Sequence, residues 1–552
     1  MLYDINTWEM TEKDKETHGL WALNTIFAIP AWSPLYLQEF LSDCGWGFYY
    51  AADTIGFPLS RGWAMRTYKG FVYGSVLPAG KGQEKEREER FRRVLAPWVE
   101  DPWGMWTKYR DDFRAVGDRY MAMNVEAMNN GELGHHLFDL RGLLLRLWED
   151  HMYTTGCLMA IHQTCHQLLT ELTGIKVTDP IFSAAMAGFD NSLLDISRGL
   201  AKLVRRTFEL KIEDNWKYSD EQVLTAMQQT DNGRKWLDEF GQFLKVYGLK
   251  SGRIWEFSEP LWMEKPSLVL PEMRPFIESR GASILDERRK AVIKAREEAE
   301  KEILAKTPES QKKSFGKLLK GAQACCRYLE DHNWWYEFRT NGLFRRAALE
   351  LGKRLTKAGA LDQPEDFVCV PFEYLIKSCV AQEYASLKEI ARANRKDWNK
   401  ALATPAPSDE IPMIIGDVSL LAKFVQWDPI FSESYAPRVA DPEQVGALCV
   451  GGAGAPGISE GTARVITSRD QWHLLQPGDI MVAPSTDSTW ASVFSLLKGV
   501  VTDGGGGLSH PAIICREYGI PCVTGTMDAT RKIKSGDKIR VDGDLLRVYL
   551  VR

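Results

Sequence analysis

The stretch from Pro437 to Gly457 (PRVADPEQVGALCVGGAGAPG) divides this chain into two textures, and no single hydrophobic period covers both. Up to about Ala401 the apolar residues recur at helical spacing. Asp139 to Leu172 keeps that spacing without a proline, Asn191 to Leu210 repeats it, and Ile284 to Lys306 adds charged pairs at helical neighbour positions. Arg345 to Leu355 is a further helix, stopped around Ala358-Gly359. After Gly457 come the short strand-like runs TARVIT, DIMVAP, GVVTD, IPCVTG, KIRVDGD and LRVYLV, separated by turns such as PGD and DGD. Pro511 to Tyr518 reads as a helix among them. The expected fold is multidomain, α and α/β. Residues 1–436 form a large, mainly helical region with room for two subdomains, 437–457 a flexible linker, and 458–552 a compact β/β/α domain.

Charge and cysteine usage narrow the function. Lys plus Arg is 69 and Asp plus Glu is 74, a net charge of −5, so no basic surplus is present to bind nucleic acid. No run approaches eighteen apolar residues, and MLYDINTWEM has neither the basic start nor the apolar core of a signal peptide, so no membrane association is expected. The ten cysteines contain no CxxC, which fits reduced thiols in a cytoplasmic protein. Nineteen tryptophans fill large cores, and they also suit a pocket for a flat apolar ligand.

The segment carrying chemistry is Gly504 to Pro521, GGGGLSHPAIICREYGIP. Its four glycines let the backbone turn tightly and approach a ligand closely. Ser509 and His510 then lead into a helix whose first position suits Pro511. A helix start favours anions, so a histidine there fits a phosphorylated imidazole, and equally a polar cap.

The same segment resembles the phosphohistidine motif of the swivelling domain in phosphoenolpyruvate synthase, pyruvate phosphate dikinase and their relatives. Gly505-Gly506-Gly507-Leu508-Ser509-His510 fits it, followed by Ala512, Ile513, Arg516, Glu517, Gly519, Ile520 and Pro521. Pro477-Gly478-Asp479-Ile480, Asp487-Ser488-Thr489-Trp490 and Val541-Asp542-Gly543 extend the likeness over about 100 residues. The resemblance implies that His510 is phosphorylated, with Arg516 as its catalytic partner and Gly506, Gly507, Ser509 and Ala512 around the phosphate. Tyr247 to Leu270 resembles the acceptor region of rifampicin phosphotransferase-like proteins, with Leu249 and Lys250 where those have His-Arg.

No GxxxxGK[ST] loop occurs, the first 400 residues lack the texture of an ATP-grasp module, and no phosphoenolpyruvate-binding barrel follows Gly543. The donor is therefore expected on a separate ATP-grasp subunit that uses ATP and Mg, with no cofactor tightly bound here. That division resembles the phenylphosphate and 4-methylphenyl phosphate (cresol) synthase systems, and implies a small aromatic hydroxyl substrate. A non-phenolic acceptor such as an antibiotic, or a phosphohistidine carrier without its own substrate, are the alternatives. For the acceptor site the candidates are His151, His162 and His166, close to whole helical turns apart, together with Arg253 and Glu256 beside Trp255. No HExxH accompanies the histidines, and no metal site is expected.

Overall fold

The computed structural model describes residues 9–24, 30–176, 178–279, 284–434 and 438–551. Pro437, the first residue of the expected linker, lies outside them, as does most of the N-terminal decapeptide. Among the described residues no helix is long and apolar enough to cross a membrane.

The large region is built on one helix of 44 residues, Asn130–Thr173. Asn129 caps its start by accepting from the Glu132 amide, while the Glu132 carboxylate accepts from the Asn129 amide; Gly174 ends it in the left-handed conformation. At 1.5 Å per residue it runs about 66 Å, the length of the domain. The helices Pro34–Ile55 and Lys312–His332 pack along it. Gly47 is what lets the first come so close, because a Cβ there would sit 2.5 Å from the Trp148 carbonyl oxygen. Its burial on several sides explains why it carries His151 and His162 inside the core instead of on a solvent face.

The region is mainly helical as expected, and it also holds a four-stranded antiparallel sheet. Its strands are β1 (Leu20–Leu23), β2 (Ser60–Tyr68), β3 (Phe71–Pro78) and β4 (Ile414–Gly416), in the order β2-β3-β1-β4. Leu20 pairs with Gly416, so the far end of the region returns to its beginning. Trp63, Met65 and Thr67 alternate inward along β2, a period of two that sits in the sequence between helical stretches.

The C-terminal domain is one eight-stranded sheet covered by the helix His510–Tyr518. Its strands are β5 (Cys449–Val450), β6 (Ala453–Ala455), β7 (Ile458–Val465), β8 (Ile480–Ala483), β9 (Gly499–Thr502), β10 (Cys522–Thr524), β11 (Lys538–Asp542) and β12 (Arg547–Leu550), ordered β5-β12-β11-β7-β8-β9-β10-β6. The centre, β7 to β10, is parallel, and the flanks are antiparallel. The six sequence-predicted strands and the helix are all present. The linker is shorter than expected at its C-terminal end: β5 and β6 are edge strands of this sheet. A Cβ at Gly454 would lie 1.9 Å from the Cys522 carbonyl oxygen, so the glycines of 451–454 serve sheet packing.

Candidate active site

His510 opens its helix directly after Ser509, whose extended backbone (φ −69°, ψ 150°) is that of an N-cap. It follows β9, at the edge of a parallel sheet where βα turns hold ligands. Gly505 has φ +105°, and a Cβ there would lie 2.6 Å from Ser509 Oγ. The Ser509 hydroxyl donates to the Gly506 carbonyl (2.7 Å), and Arg516 Nη2 donates to the Gly507 carbonyl (2.7 Å). Arg516 also reaches the Gly454 carbonyl at 3.4 Å. The guanidinium therefore braces the glycine turn against β6, and its hydrogen bonds go to backbone carbonyls.

The charged side chain at the His510 ring is Glu330, near the end of the helix Lys312–His332. Nδ1 of His510 lies 3.1 Å from each of its carboxylate oxygens. With Nδ1–H donating to a carboxylate, the lone pair of the ring is on Nε2. Nε2 is buried and has no hydrogen-bond partner among the described residues. The Phe494 ring stands edge-on at 5.8 Å.

His510 closes a cavity of about 120 Å³ between the two domains. Phe40, Phe48, Trp63, Met152, Met159 and Trp255 give it apolar walls, with Phe48 stacked on Trp63 at 4.2 Å. His151, Thr155, His332, Asn333 and Glu330 supply polar groups, and Ser488, Leu508, Ser509 and His510 form its roof. Cys44 also lines it, but burial pushes its thiol well above the ordinary range, leaving it protonated. Ligand-type atoms of His151 and His332, which line the cavity, and of Glu337 lie within 4.8 Å of one another, all three residues buried. Nδ1 of His151 bonds Glu337 Oε1, and the His151 and His332 rings are 4.5 Å apart. Burial, and then the neighbouring His151, hold the His332 imidazole well below its usual pKa, so it is neutral.

The domains are also joined behind the histidine. Buried Glu517 accepts from the amides of Gly188 (3.0 Å) and Phe189 (3.3 Å) and pairs with Arg289 at 3.0 Å. Leu508 enters the apolar cluster of the large region.

Of the expected residues, His510, Ser509 and His151 meet at the cavity. Gly506 and Gly507 shape the turn through their carbonyls, and Ala512 is buried in the helix. His162 and His166 pack on each other (4.3 Å) and on Phe182 and do not line the cavity. Eleven residues beyond His151 the helix has carried them past it. Glu256 is also removed from the acceptor candidates: it accepts from the amides of Ser33, Phe257 and Ser258 and from the Ser33 hydroxyl. Arg253 donates to the carbonyls of Pro30 and Ala31 and pairs with Glu256 at 3.4 Å. Both anchor the segment leading into the helix Pro34–Ile55, and Lys250 pairs with Glu272 at 3.2 Å under Trp262. Glu330, His332 and Glu337 escaped sequence reasoning. Their one signal is a run of ionisable residues, Glu330-Asp331-His332 and Glu337, in an otherwise apolar helical stretch.

Residues 475–545 match the family model described as PEP-utilising enzyme, mobile domain, and residues 152–330 match that of the rifampicin phosphotransferase fourth domain. The chain is 28% identical over 455 residues to the prodigiosin synthesizing transferase PigC of Serratia marcescens, covering 79% of this chain and 47% of that protein. It is 26% identical over 347 residues to rifampicin phosphotransferase of Bacillus subtilis, 59% of this chain and 36% of that protein. Phosphoenolpyruvate synthase of Deinococcus radiodurans is 45% identical over 98 residues, 17% of this chain and 13% of its own length. The chain thus spans less than half the length of these relatives. The likeness to phosphohistidine phosphotransferases drawn from the Gly504–Pro521 segment holds over both domains.

Proposed function

We propose that this chain carries a phosphoryl group on Nε2 of His510 and hands it to the hydroxyl of a small aromatic compound, phenol or cresol in kind, seated in the cavity. The observation that carries the reading is that His510, with its unpartnered Nε2, lines a mainly apolar cavity that two further imidazoles, His151 and His332, also line. About 120 Å³ is on the scale of a single aromatic ring; an engineered cavity of about 150 Å³ binds benzene. In the first half-reaction the Nε2 lone pair takes phosphoryl from ATP, bound with Mg²⁺ on a separate ATP-grasp subunit. In the second, the P–N bond breaks as a P–O bond forms, and the hydroxyl proton passes to the lone pair returned to Nε2 of His510. Glu330 is a positioning residue: it fixes the reactive tautomer and offsets the positive charge of the phosphorylated ring. The apolar walls disfavour the water that would otherwise take the phosphoryl group. A phenolic hydroxyl, with a pKa near 10, needs only modest activation there.

The names of the relatives favour a second reading, in which the acceptor is a larger antibiotic-like hydroxyl compound. It would require the roof to settle further from the wall. Incubation of the chain with its ATP-using partner, Mg-ATP and a panel of phenols and macrocycles separates the two. The proposal expects phosphate on His510 by mass spectrometry, none in His510→Ala, and turnover of single-ring phenols. Transfer by His510→Ala would overturn it, and turnover of macrocycles alone would replace its acceptor.

A further inference from the structure

The helix Lys312–His332 does not run straight into the next helix, Arg339–Lys357; Asn333–Phe338 between them is a π-helical turn. In a regular α-helix, residues five apart point about 140° away from one another. The wider i→i+5 turn swings them toward a common side, and such turns gather at functional sites. Here it brings Glu337 to the side of His332, where both meet His151 from the 44-residue helix.

Two donor atoms of this trio are unsatisfied. Nδ1 of His332 and Oε2 of Glu337 are buried and have no hydrogen-bond partner among the described residues. Glu337 is fully buried, its ion-pairing partner is His151, and no lysine or arginine pairs with it among the described residues. The unmet atoms belong to three ligand-type groups buried within 4.8 Å of one another, and a divalent cation bound among them occupies the idle donors.

We propose that His151, His332 and Glu337 bind a divalent first-row transition metal ion at the wall of the acceptor cavity. Two imidazoles and one carboxylate form a ligand set with open positions, suited to such ions more than to Mg²⁺ or Ca²⁺. His151 and His332 line the cavity, so an open position faces the space where the acceptor hydroxyl would lie. Bound there, the ion polarises the hydroxyl oxygen and lowers its pKa, the proton passing to the Nε2 that the phosphoryl group leaves, and this role rests on the phosphotransferase reading above. The binding itself does not.

The full chain, stripped with chelator and titrated with Mn²⁺ in the absence of any phosphoryl donor, tests the site. About one Mn²⁺ per chain should bind, Zn²⁺ should displace it, and pulsed EPR should show nitrogen coupling from two imidazoles. His332→Ala and Glu337→Gln should each weaken binding by about tenfold or more. Absence of binding, or a bound Mn²⁺ without imidazole coupling, would overturn the site even if either variant folds poorly. Because no donor is present, failure here is separate from failure of His510 to become phosphorylated.

Discussion

Nδ1 of His510 is held 3.1 Å from both oxygens of Glu330, across the boundary between the two domains. The contact does two jobs. With Nδ1–H as donor it leaves the lone pair on Nε2, the nucleophile of the proposed reaction, and it ties the small domain to the large one, because its partners come from opposite sides of the interface.

Glu330→Gln keeps the shape of that contact and removes its charge. A hydrogen bond to a charged group contributes about 1.5–3 kcal/mol, so transfer from phosphorylated His510 should slow by roughly 10- to 100-fold. Rapid-quench measurement of each half-reaction reads this directly. Phosphorylation by the donor, with the small domain undocked, should change less. Equal slowing of both steps would assign Glu330 a merely structural role.

Arg289→Ala should loosen docking. It strips the cation from buried Glu517, which then keeps only its two amide donors. Small-angle scattering should show a larger radius of gyration, and proteolysis between residues 438 and 448 should accelerate. An unchanged scattering curve would mean that apolar contacts alone hold the domains together.

Gly454→Ala should destabilise the small domain by more than about 1 kcal/mol, because the new methyl meets the Cys522 carbonyl oxygen across the β6–β10 ladder. Calorimetry of the full chain should show the lower transition. If Gly454→Ala melts as the wild type does, residues 451–454 are linker after all.

Asp503 gives a pH dependence of definite sign. Burial raises its pKa from 3.8 to about 6, against the hydrogen bonds from the Thr530 amide and hydroxyl. The folded state then binds more protons than the unfolded state between those values, so this group's contribution to stability falls as pH rises from about 4 to about 6. Below that window its contribution is fully present; above it the loss is complete. The stability difference between wild type and Asp503→Asn, followed by urea unfolding across this range, should change in that direction and level off above pH 6.

The small domain was legible in the sequence because its strands are short, β-branched and bounded by turn residues, and because the Gly504–Pro521 segment is dense in positional requirements. The 44-residue helix was legible through its period. β2 and β3 were hidden among helical stretches, and β5 and β6 were hidden by the same glycines that let them pack. The site was half visible. His510 and His151 stand out as residue types, but Glu330 and Glu337 are carboxylates on a charged chain, marked only by the ionisable run Glu330-Asp331-His332 around them. What places Glu337 beside His332 is one extra residue in a helical turn, which no hydrophobic period reports. Arg253 and Glu256 drew attention as charges next to a tryptophan, and their hydrogen bonds go to backbone groups that sequence does not reveal.

The small domain lends Ser488, Leu508, Ser509 and His510 to the cavity lining, so under the proposed reaction the carrier is also the lid. An order of events follows from that reaction: the acceptor is seated before the charged imidazole arrives, and product leaves after the carrier withdraws, pulling Leu508 out of its apolar socket each time. Acceptor in excess should therefore never compete with the docked carrier for the site. A phosphorylated chain without acceptor should dock on an empty chamber, waiting there without spending its phosphoryl group.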